Sequence, residues 1–465
     1  MYHRRAPGFA LLLLASASLS AAGPDTRYVI SERGAVGDGA TVNTRAIQSA
    51  IDACSAAGGG VLVVPRGVFL SGALYFGPGV NLRVEKDGIL KSTTSMVDFP
   101  PIYTRWEGIE RYWTSAFLNF VGMRDVSVSG EGTIDGSGDA WCGFGRRPRP
   151  PWSAAPAEPP GPPPKPDDVY PAPLPTTAAV SLAADAGRLP PVNAAGIRLP
   201  LGGSRLSPPR ALVFQNCAGV RVSGLLLRNN ARWGFVFIYC RDVVAERLTV
   251  RAEHYIPSSD GIDVDSCQHV LIAGCDIDCN DDCISIKSGK DEDGRRVNVP
   301  CEDITIERTR FGYGQGGASM GSETSGGIRR VEVRDCLAED GNWAPIRIKS
   351  QPSRGGYVED VTYRNIELRG VLRAFEFDMA WYMRINNPAA ARMPTAMHRI
   401  RLIHVHGTAR AAGIIHGVPE RPIEDVSFAN CAVSADTGLS IEHAGRIDTS
   451  GLALTVKQGV PIAGP

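Results

Sequence analysis

Apolar and polar positions alternate in four short runs: Asp260-Gly-Ile-Asp-Val-Asp-Ser266, Asp282-Cys-Ile-Ser-Ile-Lys-Ser288, Gly316-Gly-Ala-Ser-Met-Gly-Ser322 and Ala344-Pro-Ile-Arg-Ile-Lys-Ser350. A period of two belongs to a strand with one face buried. Superposed, the runs put Asp260 on Asp282, with Asp281 one residue ahead. Asp263, Ser285, Ser319 and Arg347 then form one outward column, and Asp265, Lys287, Gly321 and Lys349 form the next. Further alternating stretches start at Val220, Val243, Val270, Ile304, Val331, Val361, Ile400 and Val426, spaced from 23 residues (Val220 to Val243) to 39 (Val361 to Ile400). Four of these starts have a cysteine three residues earlier: Cys217, Cys240, Cys267 and Cys301. Repeats of this length, without long helices between the strands, predict an all-β fold: a right-handed, single-stranded parallel β-helix. A β-propeller would need four strands per blade and a longer, more regular period. Near the start, Thr44 can cap a short helix that carries Ala46, Ile47, Ala50 and Ile51 on one face and ends at Gly58-Gly-Gly60. Such a helix would cover the first rung, as solenoids require.

Composition refines this picture. A chain of 465 residues is long for one compact core, but a solenoid grows along one axis. Lys+Arg and Asp+Glu both number 49, so no global field collects a polyanion and nucleic acid is not an expected partner. His3-Arg-Arg5, the apolar stretch from Phe9 to Ala17 and Ser20-Ala-Ala22 read as an export signal over residues 1–22, too short in its apolar part to span a membrane. The mature domain is expected over 23–465, periplasmic or extracellular. Within it, a Pro-rich insertion at about 145–210 interrupts the repeats as a surface excursion or a wall at one end of a groove. Eleven cysteines in an exported chain allow disulfides. The cluster Cys267, Cys275, Cys279 and Cys283 matches no common zinc spacing, so core stacking or disulfides are expected there and no metal.

The chemistry lies in the columns. Asp260 and Asp282 fall on adjacent rungs, roughly 5 Å apart at Cα, with Asp281 beside them. Like charges this close push at least one carboxyl upward, which gives a proton donor beside an ionised neighbour. Glycoside hydrolysis needs that pair. Arg347 and Lys349 share a strand face about two rungs, roughly 10 Å, further on. Trp233 falls one rung before Asp260, as a sugar platform or as core. Gln315, Lys287 and Arg296, with Tyr313 and Glu323, lie in or near the surrounding loops and strands.

At these residues the chain resembles glycoside hydrolase family 28, the polygalacturonases and their relatives, from Gly34-Ala-Val-Gly-Asp-Gly39 to the last rungs. The family's Asn-Thr-Asp element stands here as Ser258-Ser-Asp260. Its paired aspartates are Asp281-Asp282-Cys283, and its Arg-Ile-Lys is Arg347-Ile-Lys349. Its Gly-His-Gly becomes Gly314-Gln-Gly316, and glutamine does not titrate as histidine does. The resemblance implies an inverting hydrolase of pectic polysaccharide; no cofactor is expected, and the expected state is a monomer. Asp281 would be the general acid, and Asp260 with Asp282 would hold and activate water. Arg347 and Lys349 would grip the uronate carboxylate on the leaving side. Two substrates satisfy that pair: a terminal galacturonate on galacturonan, with Lys287 or Arg296 meeting a second carboxylate, or a terminal rhamnose linked to galacturonate. Closure of the groove by the insertion would make either attack exo.

Two rival classes share the architecture. A polysaccharide lyase would use Ca²⁺ on Asp260, Asp263 and Asp265 and leave an unsaturated product. A non-catalytic glycan-binding β-helix would release no reducing ends.

Overall fold

The computed structural model describes residues 26–142, 207–381 and 391–464. The expected signal at 1–22 and nearly all of the insertion expected at 145–210 lie outside the described residues. No described helix is long and apolar enough to cross a membrane.

The chain winds as a right-handed parallel β-helix. Each central coil lays down three short strands, and each strand pairs in parallel with its counterpart one coil later. Thus Ile262–Asp265, Gln268–Ala273 and Asp276–Asp278 pair with Asp282–Lys287, Cys301–Glu307 and Arg310–Phe311. The starts read from the sequence are register partners throughout: Val220, Val243, Val270, Ile304, Val331, Val361, Ile400 and Val426 stack in one column. Inside, Phe76, Phe120, Phe214 and Phe237 form a ladder with centroids 4.2, 4.6 and 5.2 Å apart. Each such side chain contributes about 1.5–3 kcal/mol by leaving water.

Helix α1 (Thr44–Ala56) caps the first rung, burying Ile47, Ala50, Ile51 and Cys54. Asn43, not Thr44, is the N-cap; the Thr44 hydroxyl instead accepts the Gly72 N–H at 2.7 Å. All eleven cysteines are free thiols, so of the two readings, core stacking or disulfides, the structure has core stacking. Cys217, Cys240, Cys267 and Cys301 stack as core residues at the same corner of successive coils, with Cys267 Sγ accepting the Cys240 N–H at 3.2 Å.

One outer sheet carries the acid and base columns. Its strands are β3 (Leu212–Gln215), β4 (Phe235–Ile238), β5 (Ile262–Asp265), β6 (Asp282–Lys287), β7 (Gly316–Met320), β8 (Ile346–Lys349) and the end of β9 (Tyr357–Asp378). An antiparallel hairpin, β1 (Pro101–Trp106) and β2 (Ile109–Thr114), folds over this sheet at β3 and β4. Its turn, Glu107-Gly108, has φ of 44° and 75°, the left-handed pair of a tight hairpin. A Cβ at Gly108 would meet the Lys290 backbone nitrogen at 2.7 Å, so only glycine fits there. Trp106 and Trp113 from the hairpin pack on Val213, Val236 and Trp233. Arg105 anchors its tip, donating to Asp265 Oδ1 at 2.9 Å and Ser266 Oγ at 2.8 Å.

Candidate active site

The register builds the columns as alternation predicts. Asp263 pairs with Ser285, Ser285 with Ser319, Ser319 with Arg347, and Asp265 with Lys287. The column continues to Glu376, and Lys349 pairs with Asp378. Asp282 opens β6, Asp281 directly precedes it, and Asp260 stands two residues before β5, its carbonyl accepting the Gly234 N–H at 2.9 Å. One carboxylate oxygen from each of Asp260, Asp281 and Asp282 lies within 4.8 Å of the others. Gly316, the register partner of Asp282, leaves room for this cluster, because a Cβ there would meet Asp282 Oδ1 at 2.7 Å.

The three carboxyls stand in different fields. Burial would raise Asp282, but Lys349, Arg347 and Lys287 hold it well below the usual carboxylate range. Lys349 Nζ is 2.7 Å from its Oδ2, Arg347 Nη1 is 3.4 Å from its Oδ1, and Ser319 Oγ donates to Oδ1 at 2.8 Å. Asp281 is pushed up by burial and by the Asp282 charge, and its Oδ1 accepts the Asp282 N–H at 3.0 Å. Asp260 is pushed up most strongly, by burial and by Asp263 and Asp281, and its buried Oδ1 has no hydrogen-bond partner. Two protonatable carboxyls thus flank one held ionised, the split that separates an acid from a base. The same three oxygens have the spacing of a cation site, but Lys349 and Arg347 already supply positive charge there.

Arg347 and Lys349 sit two strands beyond Asp282 yet touch it, because their long side chains fold back over the short Ser319 and Gly321. Glu376, which the sequence reading missed, orients Arg347: it accepts Arg347 Nε at 2.8 Å, Trp343 Nε1 at 2.7 Å and Arg373 Nη1 at 2.8 Å. Gln315 contributes backbone here, its N–H bonding the Asp281 carbonyl at 2.9 Å and its carbonyl accepting Arg347 Nη1 at 3.0 Å.

Lys287 lies between Asp263 and Glu323, 3.6 and 3.5 Å away, with its ammonium 4.7 Å from the Trp233 ring centre. Burial, only partly offset by Lys287, pushes Asp263 up to about 8; Glu323, also buried, is held at about 2 by Lys287 and Arg354. Trp233 is packed rather than open, stacked on Trp106 with centroids 5.0 Å apart. Arg296 is committed elsewhere: in helix α2 (Asp291–Val297) it pairs with Glu110 at 2.8 Å and Asp293 at 3.0 Å, pinning the hairpin. The calcium set imagined for a lyase does not assemble, since Arg105 takes Asp265 and Lys287 approaches Asp263.

Comparison with known proteins agrees with this geometry. The sequence profile "Glycosyl hydrolases family 28" matches residues 203–446, just over half of the chain. A probable polygalacturonase of Vitis vinifera is 26% identical over 86% of this chain and 72% of its own length. An exo-poly-alpha-D-galacturonosidase of Dickeya chrysanthemi is 24% identical over 74% of this chain and 55% of its own length. The crystal structure of a hyperthermoactive exopolygalacturonase from Thermotoga maritima superposes with a TM-score of 0.71 at 27% identity, covering 93% of this chain and 92% of that one. Three converging carboxylates on an outer β-helix sheet, and a match across the coils that carry them, lead to one conclusion: the chain belongs to glycosyl hydrolase family 28.

Proposed function

We propose that this enzyme is an exported, exo-acting polygalacturonase. It would cut α-1,4 linkages to galacturonic acid with Asp281 as general acid and Asp260 with Asp282 holding the attacking water. The observation that carries the proposal is the carboxyl cluster itself, with Asp282 held ionised by Lys349 and Arg347 while burial and like charge raise Asp260 and Asp281. Asp281 then protonates the leaving oxygen, and ionised Asp282 draws a proton from water. Arg347 and Lys349 supply donors for the carboxylate of the leaving sugar, exchanging part of their contact with Asp282 for it.

Exo attack is supported by the hairpin. It covers β3 and β4 on the side away from Arg347, and Arg105 fastens it to Asp265, next to the acids. That roof stands over the strand next to the coil of Asp260, about one rung or roughly 4.8 Å away, close enough to stop the groove beside a terminal sugar. Lys287 is the candidate receptor for that sugar's carboxylate. The similarity to exo-acting relatives points the same way. Such a substrate belongs to cell walls, consistent with export of a monomer after signal cleavage.

Chromatography of products from defined oligogalacturonates tests the proposal. Galacturonate should accumulate from the first minutes with substrate shortened by one residue. Release of rhamnose from rhamnogalacturonan fragments, with galacturonan untouched, would assign the substitution at Gln315 to a neutral-sugar pocket instead.

A further inference from the structure

On the rim beside the acids stands an imidazole that the mechanism above does not use. His254 lies in the loop ahead of β5, and its ring is parallel to that of Tyr313, with centroids 3.7 Å apart and planes 10° apart. Its Nε2 is 2.6 Å from Asp278 Oδ1, while Asp278 Oδ2 accepts the Tyr313 backbone N–H at 3.1 Å. One carboxylate therefore fixes both members of the stack. The loop is tied down again by Asn280, whose side-chain amide donates to the His254 carbonyl and whose N–H donates to Ser259 Oγ at 3.2 Å.

These anchors carry His254 from the coil of β5 across the coil of β6 to the residues before β7. Asp278 precedes Asp281 by three residues, at most about 10 Å of chain. Tyr313 precedes Gln315 by two, and the Gln315 N–H bonds the Asp281 carbonyl. The imidazole is thus tied to two segments, Asp278 and Tyr313, that both lead into the residues around the candidate acid at the strand-entry side. Its side chain is 45% exposed, and Nδ1 makes no hydrogen bond to a described residue. A lone exposed His–Asp pair contributes little to stability. Two separate anchors and a stacked ring are more than such a pair needs, and they leave the second ring nitrogen without a partner among the described residues.

We propose that His254, held by Asp278 and Tyr313, is a specificity-determining contact in which Nδ1 meets the carboxylate of a galacturonate bound across the scissile linkage. The inference rests on the polygalacturonase reading. It gives the cleft an imidazole although Gly314-Gln-Gly316 carries none.

The test is steady-state hydrolysis of trigalacturonate by the full chain, wild type against His254→Gln and His254→Phe, with thermal melts of all three. Phenylalanine keeps a ring on Tyr313 but removes Nδ1. A lost charge-assisted hydrogen bond raises KM roughly ten- to a hundredfold, with kcat nearly unchanged. Both variants should show that rise while melting with the wild type. Unchanged KM in both, wild-type KM restored by phenylalanine, or a KM loss that tracks lost thermal stability would overturn the proposal. A wild type that leaves trigalacturonate intact would instead sink the polygalacturonase reading, and this inference with it.

Discussion

Lys349→Met removes the ammonium 2.7 Å from Asp282 Oδ2, where the two side chains are 6% and 1% exposed and solvent does not screen them. Breaking a buried ion pair from one side costs about 3–5 kcal/mol, because the remaining charge is stranded. Arg347 remains 3.4 Å from the other oxygen, so the expected loss is at the lower end, about 3 kcal/mol. The sign with pH follows from Asp282. Its carboxyl is depressed in the fold, so its contribution is fully present above the unfolded value of about 3.9 and is lost only as pH falls through the lower folded value. Without Lys349, less positive charge opposes burial and the carboxyl rises. The variant's deficit is then full at pH 7 and shrinks toward pH 4, where Asp282 protonates and the stranded charge disappears. Denaturant unfolding of both proteins at the two pH values measures this. Toward pH 4, where Asp282 protonates in the variant, its hydrolysis should fall about 10²–10⁴-fold below wild type as the base is lost. Equal destabilisation at both pH values, or none at pH 7, would refute the electrostatic reasoning; wild-type activity of the variant at pH 4, where it unfolds as though Asp282 were protonated, would remove Asp282 from water activation.

Replacing the hairpin Pro101–Thr114 by a short turn should open the groove at β3 and β4 and shift products from monomer to mixed oligomers; unchanged monomer release would mean the hairpin does not set the mode. Glu376→Gln weakens the hold on Arg347, so KM should rise roughly tenfold in steady-state kinetics; an unchanged KM would mean that Glu376 does not orient Arg347 for substrate. Titration of the denatured, unreduced protein with a thiol reagent should count eleven thiols per chain.

The ladder was legible because a period of two, read across repeats, fixes both face and register. Every start from Val220 to Val426 proved to be the partner of the next. The acids and bases followed from the same rule. What escaped were contacts with no local signature. Arg105 reaches Asp265 across 160 residues, and nothing in Trp106-Glu-Gly-Ile109 announces that its hairpin will cover β4. Glu376 lay one strand beyond the runs compared, in Phe375-Glu-Phe-Asp378, which is followed by Met379 where the others end in Ser. Arg347 and Lys349 were expected about 10 Å from Asp282 by backbone spacing; side-chain reach over Ser319 closes that gap. Cysteine spacing alone could not separate a stacked column of thiols from disulfides. The carboxylate oxygens within 4.8 Å are also closer than the roughly 6.5–9.5 Å between carboxyl groups usual for inversion, so the stereochemistry rests on family membership.

Proton NMR of the first minutes of trigalacturonate hydrolysis, by wild type and by Asp281→Asn, tests the central claim most directly. The account predicts β-galacturonate as the first monomer, mutarotating later, with no unsaturated uronate and no product from the variant. The α-anomer first, a vinyl proton signal, or an active Asp281→Asn protein would contradict it.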